Sequence, residues 1–154
     1  MRVVDAFPFF NELEMLEIRL NVLDAVVDRF VLLESTVTYS GRPKPLYYAD
    51  HRSRLARWND RIVHVVVDDS PDTGDDRWAR ERYQRDRIAR GLTDLRCDDF
   101  VMLSDVDEIP DPALVAARRR GGYLQVYSMY YLNTVQPRER WVGTVALYAF
   151  QLAA

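Results

Sequence analysis

The chain has 154 residues, 48% hydrophobic and 29% charged, with a formal net charge of -3. That length and balance fit one globular domain with a real core and exclude a disordered chain. The acidic balance excludes a surface built to neutralise nucleic-acid phosphates. The lone Cys97 excludes an internal disulfide framework and a cysteine metal site.

Residues 2–7 read as a first strand, ended by Pro8. Asn11 follows as a helix N-cap, with Glu14 three residues on in the capping-box spacing. Leu13, Leu16, Leu20 and Leu23 then recur at spacings of three and four, which predicts a helix with one apolar face. Residues 29–34 form a continuous apolar run, the mark of a strand covered on both faces. Residues 38–45 hold Ser40-Gly41 and two prolines and read as a loop. Residues 62–67 are rich in β-branched side chains and predict a third strand. The acidic stretch 68–76 reads as an exposed loop, and residues 77–90 as a helix closed by Gly91. Residues 100–103 predict a fourth buried strand. Asp111-Pro112 opens a short helix that Gly121-Gly122 ends, and residues 123–132 and 144–150 read as two more strands.

Strands alternating with helices imply a mostly parallel sheet. Such a sheet binds its ligands at the carboxyl ends of its strands. No run approaches the roughly 18 apolar residues of a membrane span, and the opening residues form no apolar leader. These features predict a cytoplasmic protein with no transmembrane segment and no nucleic-acid partner. An open sheet edge is also a surface on which a second copy can pair, so a homo-oligomer is a possible state.

The chemistry concentrates in Asp105-Val106-Asp107-Glu108, which follows the fourth strand directly. Two aspartates at i and i+2 point the same way while the backbone stays extended. Their mutual repulsion is relieved by a divalent cation, and Mg²⁺ or Mn²⁺ suits carboxylate and phosphate oxygens. The same tripeptide also fits a capping turn, with Ile109-Pro110 stopping the strand. A dehalogenase-like phosphatase places two aspartates similarly, but it wants a small residue and a hydroxyl where this chain has Glu108-Ile109-Pro110. Glu34, at the end of its strand, reads equally as a ligand-binding carboxylate or as an acceptor for loop N–H groups. His64, among valines, reads as a hydrogen-bonded core histidine.

The longer string Phe100-Val101-Met102-Leu103-Ser104-Asp105-Val106-Asp107-Glu108-Ile109-Pro110 resembles the signature of glycosyltransferase family 17. Further resemblance lies in Asp5-Ala6-Phe7-Pro8-Phe9-Phe10-Asn11-Glu12-Leu13 and Leu16-Glu17-Ile18-Arg19-Leu20. It continues in Glu81-Arg82-Tyr83-Gln84-Arg85-Asp86, Tyr130-Tyr131-Leu132-Asn133 and Trp141-Val142-Gly143-Thr144. The resemblance implies one GT-A-like (Rossmann-like) α/β domain over residues 1–154, the N-terminal portion of the family domain. It also implies a UDP-sugar donor, most simply UDP-N-acetylglucosamine, a glycan acceptor, a divalent cation and inversion at the anomeric carbon. By motif position, Asp107 would ligate the metal, and Asp105 would share it or touch the ribose. Phe7, Asn11 and Glu12 would lie near the uridine, and Arg85 and Asp86 would face the donor. Family members continue well past the equivalent of Thr144, so this chain reads as a shortened one. No residue is assigned as the catalytic base that an inverting transfer needs. The alternative reading is therefore a nucleotide-sugar-binding fragment without turnover.

Overall fold

The computed structural model describes residues 1–117, 123–129 and 139–152, with the backbone alone at 123–129 and 139–142. Its strands are β1 (Val3–Phe9), β2 (Arg29–Ser35), β3 (Ile62–Val67), β4 (Phe100–Leu103), β5 (Tyr123–Met129) and β6 (Glu139–Tyr148). They form one sheet in the order β3-β2-β1-β4-β6-β5. The first four are mutually parallel; β6 joins β4 antiparallel, and β5 joins β6 antiparallel at the edge.

The alternation of side chains along each strand sorts the core into two layers. Val3, Phe7 and Phe9 of β1, with Phe30 and Leu32 of β2, pack against Leu16, Leu20 and Leu23 of α1 (Leu13–Leu23). Val4, Ala6, Val31, Leu33 and Val65 face the other way, onto Ile88 and Tyr83. Helices thus cover both faces of the parallel part, which is why its strands are apolar throughout. The chain is an α/β fold with a mostly parallel sheet flanked by helices. No helix among the described residues is long and apolar enough to cross a membrane.

Several boundaries differ from expectation. The cap of α1 is Glu12 rather than Asn11. The Glu12 carboxylate turns back to accept from the N–H groups of Phe10 and Asn11, while Glu14 pairs instead with Arg54. The expected helix 77–90 divides into α3 (Arg77–Asp86), capped by Asp76 on Ala79 N–H, and a 3₁₀ turn over Arg87–Gly91. Gly91 is required by close approach rather than by a left-handed cap. A Cβ there would lie 2.4 Å from Val31 Cγ1 and 2.8 Å from Val65 Cγ2. Residues 47–58, without expected structure, form α2 (Tyr47–Asp50) and a 3₁₀ turn that buries Leu55 and Trp58. The last helix, α4 (Pro112–Ala116), is capped by Asp111 as expected. Strand β6 begins before the expected position 144 and ends at Tyr148, because it pairs with β5 as well as β4. The Gly121-Gly122 stop and the Tyr130-Tyr131-Leu132-Asn133 motif lie outside the described residues.

Candidate functional site

The chain runs outward from β1 to β2 and β3, then returns to place β4 on the other side of β1. The carboxyl ends of β1 and β4 therefore diverge at a switch in strand order, where open α/β sheets hold their ligands. Asp105 to Glu108 leave β4 at this point, and Phe10 to Glu12 leave β1 beside them.

The acidic segment is a tight turn closed reciprocally. Glu108 N–H donates to the Asp105 carbonyl at 3.0 Å, and Asp105 N–H donates to the Glu108 carboxylate at 3.0 Å. Glu108 thus does the capping, and both aspartate carboxylates stay out of the turn's own bonding. The turn is pinned from below by Arg19 of α1, which is completely buried. Arg19 forks onto Asp5 of β1 through Nε (2.8 Å) and Nη2 (2.7 Å). Nη1 donates to the carbonyls of Asp105 (2.8 Å), Val106 (3.1 Å) and Glu108 (3.1 Å), and Nη2 also reaches Ser104 Oγ (2.6 Å). Five N–H groups in a rigid fork are all engaged, and a lysine has no such geometry.

Above the turn, the two carboxylates differ in their surroundings. Asp107 is exposed and makes no hydrogen bond or ion pair to a described residue. Asp105 Oδ1 is shielded from solvent and receives no well-aligned hydrogen bond. It has a close ion pair instead, at 2.7 Å from Arg85 Nη2 of α3. Charge proximity decides that contact, although the N–H does not aim along it. Arg85 Nε also bonds Glu81 at 2.9 Å, one helical turn back. Burial works against the Arg85 charge, but Asp105 and Glu81 outweigh it and raise its pKa.

A cleft of about 1140 Å³ opens here, edged by Asp105 and Asp107 and floored by the ends of β1 and β2. Phe10, Glu12, Tyr39, Lys44, Trp78 and Arg85 are among its walls. The loop carrying Tyr39 is tied to α3 by two buried polar side chains. Arg80 donates to the Tyr39 carbonyl at 2.7 Å, and Gln84 donates to the Val37 carbonyl at 3.1 Å. Burial pushes the Tyr39 phenol up to about 12; Arg85 opposes this, and Glu81, Asp105 and Glu12 add to it. Tyr39 therefore stays protonated and can donate. Lys44 lies about 5 Å from the Phe10 and Tyr47 ring centroids. Burial lowers its pKa, and nearby Glu34 restrains that fall.

Of the residues named from sequence, the structure brings Glu12, Arg85, Asp105 and Asp107 to this cleft. Phe7 is fully buried beneath the Arg19 guanidinium, 4.5 Å from ring centroid to Cζ, and lines neither this cleft nor the second cavity below. Phe10 is the phenylalanine at the cleft wall. Asn11 is exposed beside the cleft and is not part of its wall. Glu34 is buried and accepts from Tyr48 N–H (3.3 Å) and Lys44 Nζ (3.4 Å), with His64 Nε2 at 3.1 Å. Asp86 is exposed and lines a second cavity of about 950 Å³, on the other side of Arg85. Arg19, Tyr39, Lys44, Arg80 and Gln84 were not singled out by sequence reasoning. Only Arg19 carried a signal, a charged residue on the apolar stripe Leu16, Leu20, Leu23.

A pair of open carboxylates fits a divalent cation that keeps part of its coordination for phosphate and water. No cluster of three acidic, histidine or cysteine side chains suited to a metal occurs among the described residues. Asp105 and Asp107 would therefore hold such an ion with a ligand's help rather than in an all-protein cage.

A parallel α/β domain with a carboxylate-edged cleft at its switch point is the class that fold and site define. Residues 1–151 match glycosyltransferase family 17, and the chain belongs to that family. It is 33% identical over 117 residues to the β-1,4-mannosyl-glycoprotein 4-β-N-acetylglucosaminyltransferases of Rattus norvegicus and Homo sapiens. The Mus musculus protein is 32% identical over the same length. These matches cover 71% of this chain and 22% of each relative, so the chain spans about a fifth of the curated relatives' length.

Proposed function

We propose that this chain forms the donor-binding part of a GT-A-type, metal-dependent glycosyltransferase, which moves N-acetylglucosamine from a UDP-sugar to a glycan hydroxyl with inversion. The observation that carries the reading is the pair Asp105 and Asp107. The turn closes through Glu108 and Arg19 without using either aspartate carboxylate, and both carboxylates edge the cleft at the switch point. Family membership and the names of the relatives support the transferred sugar and the class of acceptor.

In this reading Asp107 and Asp105 hold Mn²⁺ or Mg²⁺, which when bound stabilises the negative charge developing on the leaving diphosphate as a Lewis acid. Arg19 keeps the turn from relaxing, so the carboxylates meet the ligand preorganised. Arg85 and Lys44 supply the cationic wall for phosphate oxygens. Tyr39 offers a neutral hydroxyl donor, and Phe10 and Trp78 offer exposed aromatic faces for a base or sugar.

Calorimetric titration with UDP in the presence of manganese tests this. Binding is expected for the native chain, and its loss is expected for Asp107→Ala or with excess chelator. Unchanged UDP affinity under either condition would overturn the proposal. Release of UDP from UDP-N-acetylglucosamine then separates turnover from binding without transfer.

A further inference from the structure

Arg85 and Asp105 are the two residues common to the donor cleft and the second cavity, so their ion pair is the wall between them. The pair is unlike the buried Arg19–Asp5 fork. Both side chains are 39% exposed, the contact is a single 2.7 Å approach, and the Asp105 oxygen in it is otherwise without an aligned donor. An enclosed carboxylate oxygen needs a positive neighbour, and here a guanidinium supplies it. The same oxygen belongs to the carboxylate pair read above as the cation site. Two cations do not share one oxygen at such range without strong repulsion. Arg85 can leave by rotation about the aliphatic bonds of its partly exposed side chain, which carries its Nε away from Glu81 as well. Its planar fork matches two diphosphate oxygens.

Resting on the metal-dependent reading, we infer that Arg85 is the resident counter-ion of Asp105 and gives up that oxygen to the incoming divalent cation. The released guanidinium moves onto the donor's diphosphate, and the wall between the two cavities opens. Arg85 is then a positioning residue in the resting protein and a diphosphate ligand in the loaded one.

The test measures two affinities on the full chain: Mn²⁺ alone, and UDP at saturating Mn²⁺. Arg85→Gln removes the competing charge and one diphosphate ligand together. It should bind Mn²⁺ alone more tightly, by up to about fivefold for a half-exposed pair. It should bind UDP more weakly, by about tenfold or more for a lost charged hydrogen bond. Arg85→Lys keeps the charge and should leave Mn²⁺ affinity near native while still weakening UDP. An ordinary structural ion pair gives no such opposite shifts. If Arg85→Gln moves both affinities the same way, or neither, the exchange is overturned while the metal-dependent reading stands. If the native chain binds neither Mn²⁺ nor UDP, that reading falls and the exchange falls with it.

Discussion

The two ends of the parallel strands carry the same residue types, arginine against aspartate, arranged to opposite effect. At the amino end, Arg2 donates from its backbone and side chain to Asp99, which also accepts from Arg96 N–H. Arg29 and Arg2 both reach Asp94. Every carboxylate oxygen of Asp94 and Asp99 is taken. At the carboxyl end, Asp107 has no partner among the described residues and Asp105 has one imperfect one. Buried and paired charge is how a chain fixes its own ends, and charge left open at a cleft is how it meets something else. Substitutions at the closed clusters should therefore cost stability, and substitutions at the open one should cost binding.

The largest loss should come from Arg19, the closed cluster under the open one. Arg19→Ala strands the Asp5 carboxylate in the core and takes a charged donor from three carbonyls, at about 3–5 kcal/mol. Denaturant unfolding measures this. Asp5→Leu combined with Arg19→Met removes both charges and should recover part of the stability. Manganese-dependent UDP binding should not return with it, because the Arg19 bonds that tie the carbonyls of Asp105, Val106 and Glu108 to α1 are then missing. Recovery of both together would mean that Arg19 supports the fold and not the turn.

Asp99 comes next. Burial alone would raise its pKa, but the Arg2 guanidinium and the backbone N–H groups of Arg96 and Arg2 outweigh it and bring the pKa down to about 2. A carboxyl depressed on folding contributes stability that is fully present above its unfolded pKa near 4 and is lost as pH falls towards about 2. At pH 7 that contribution is about 2 kcal/mol. Asp99→Asn should be less stable by about this amount at neutral pH, and the two proteins should converge near pH 2. Parallel stability curves down to pH 2 would show that the amino-end cluster is not the acid-sensitive lock described here.

The contrast between the ends also explains what the sequence could and could not disclose. Strands β1 to β4 and the position of Asp105 and Asp107 were legible, because period and composition are local and the motif follows its strand directly. The role of Arg19 was not. Its partners stand 14 and 85–89 residues away, so only the folded chain brings them together. Glu34 showed the reverse ambiguity, since a carboxylate at a strand end looks the same whether it faces a ligand or, as here, Lys44, Tyr48 and His64. The tight seat of Gly91 is likewise set by the packing of Val31 and Val65, which no window of neighbouring residues contains. Phe7 and Phe10 lie three residues apart in one motif, yet the pleat and the end of β1 send one to the core and the other to the cleft.

The smallest expected stability change is at Asp107, and it is the most telling. An exposed carboxylate with no partner among the described residues gives up no hydrogen bond and no buried area when truncated, so Asp107→Ala should alter unfolding free energy by less than about 0.5 kcal/mol. The same substitution is expected to remove manganese-dependent UDP binding entirely. A residue that costs the fold nothing and the ligand everything separates the open end from the closed one more sharply than any large loss could. If Asp107→Ala instead unfolded the chain as Arg19→Ala is expected to, the turn would be one more closed cluster, and the difference drawn between the two ends would disappear.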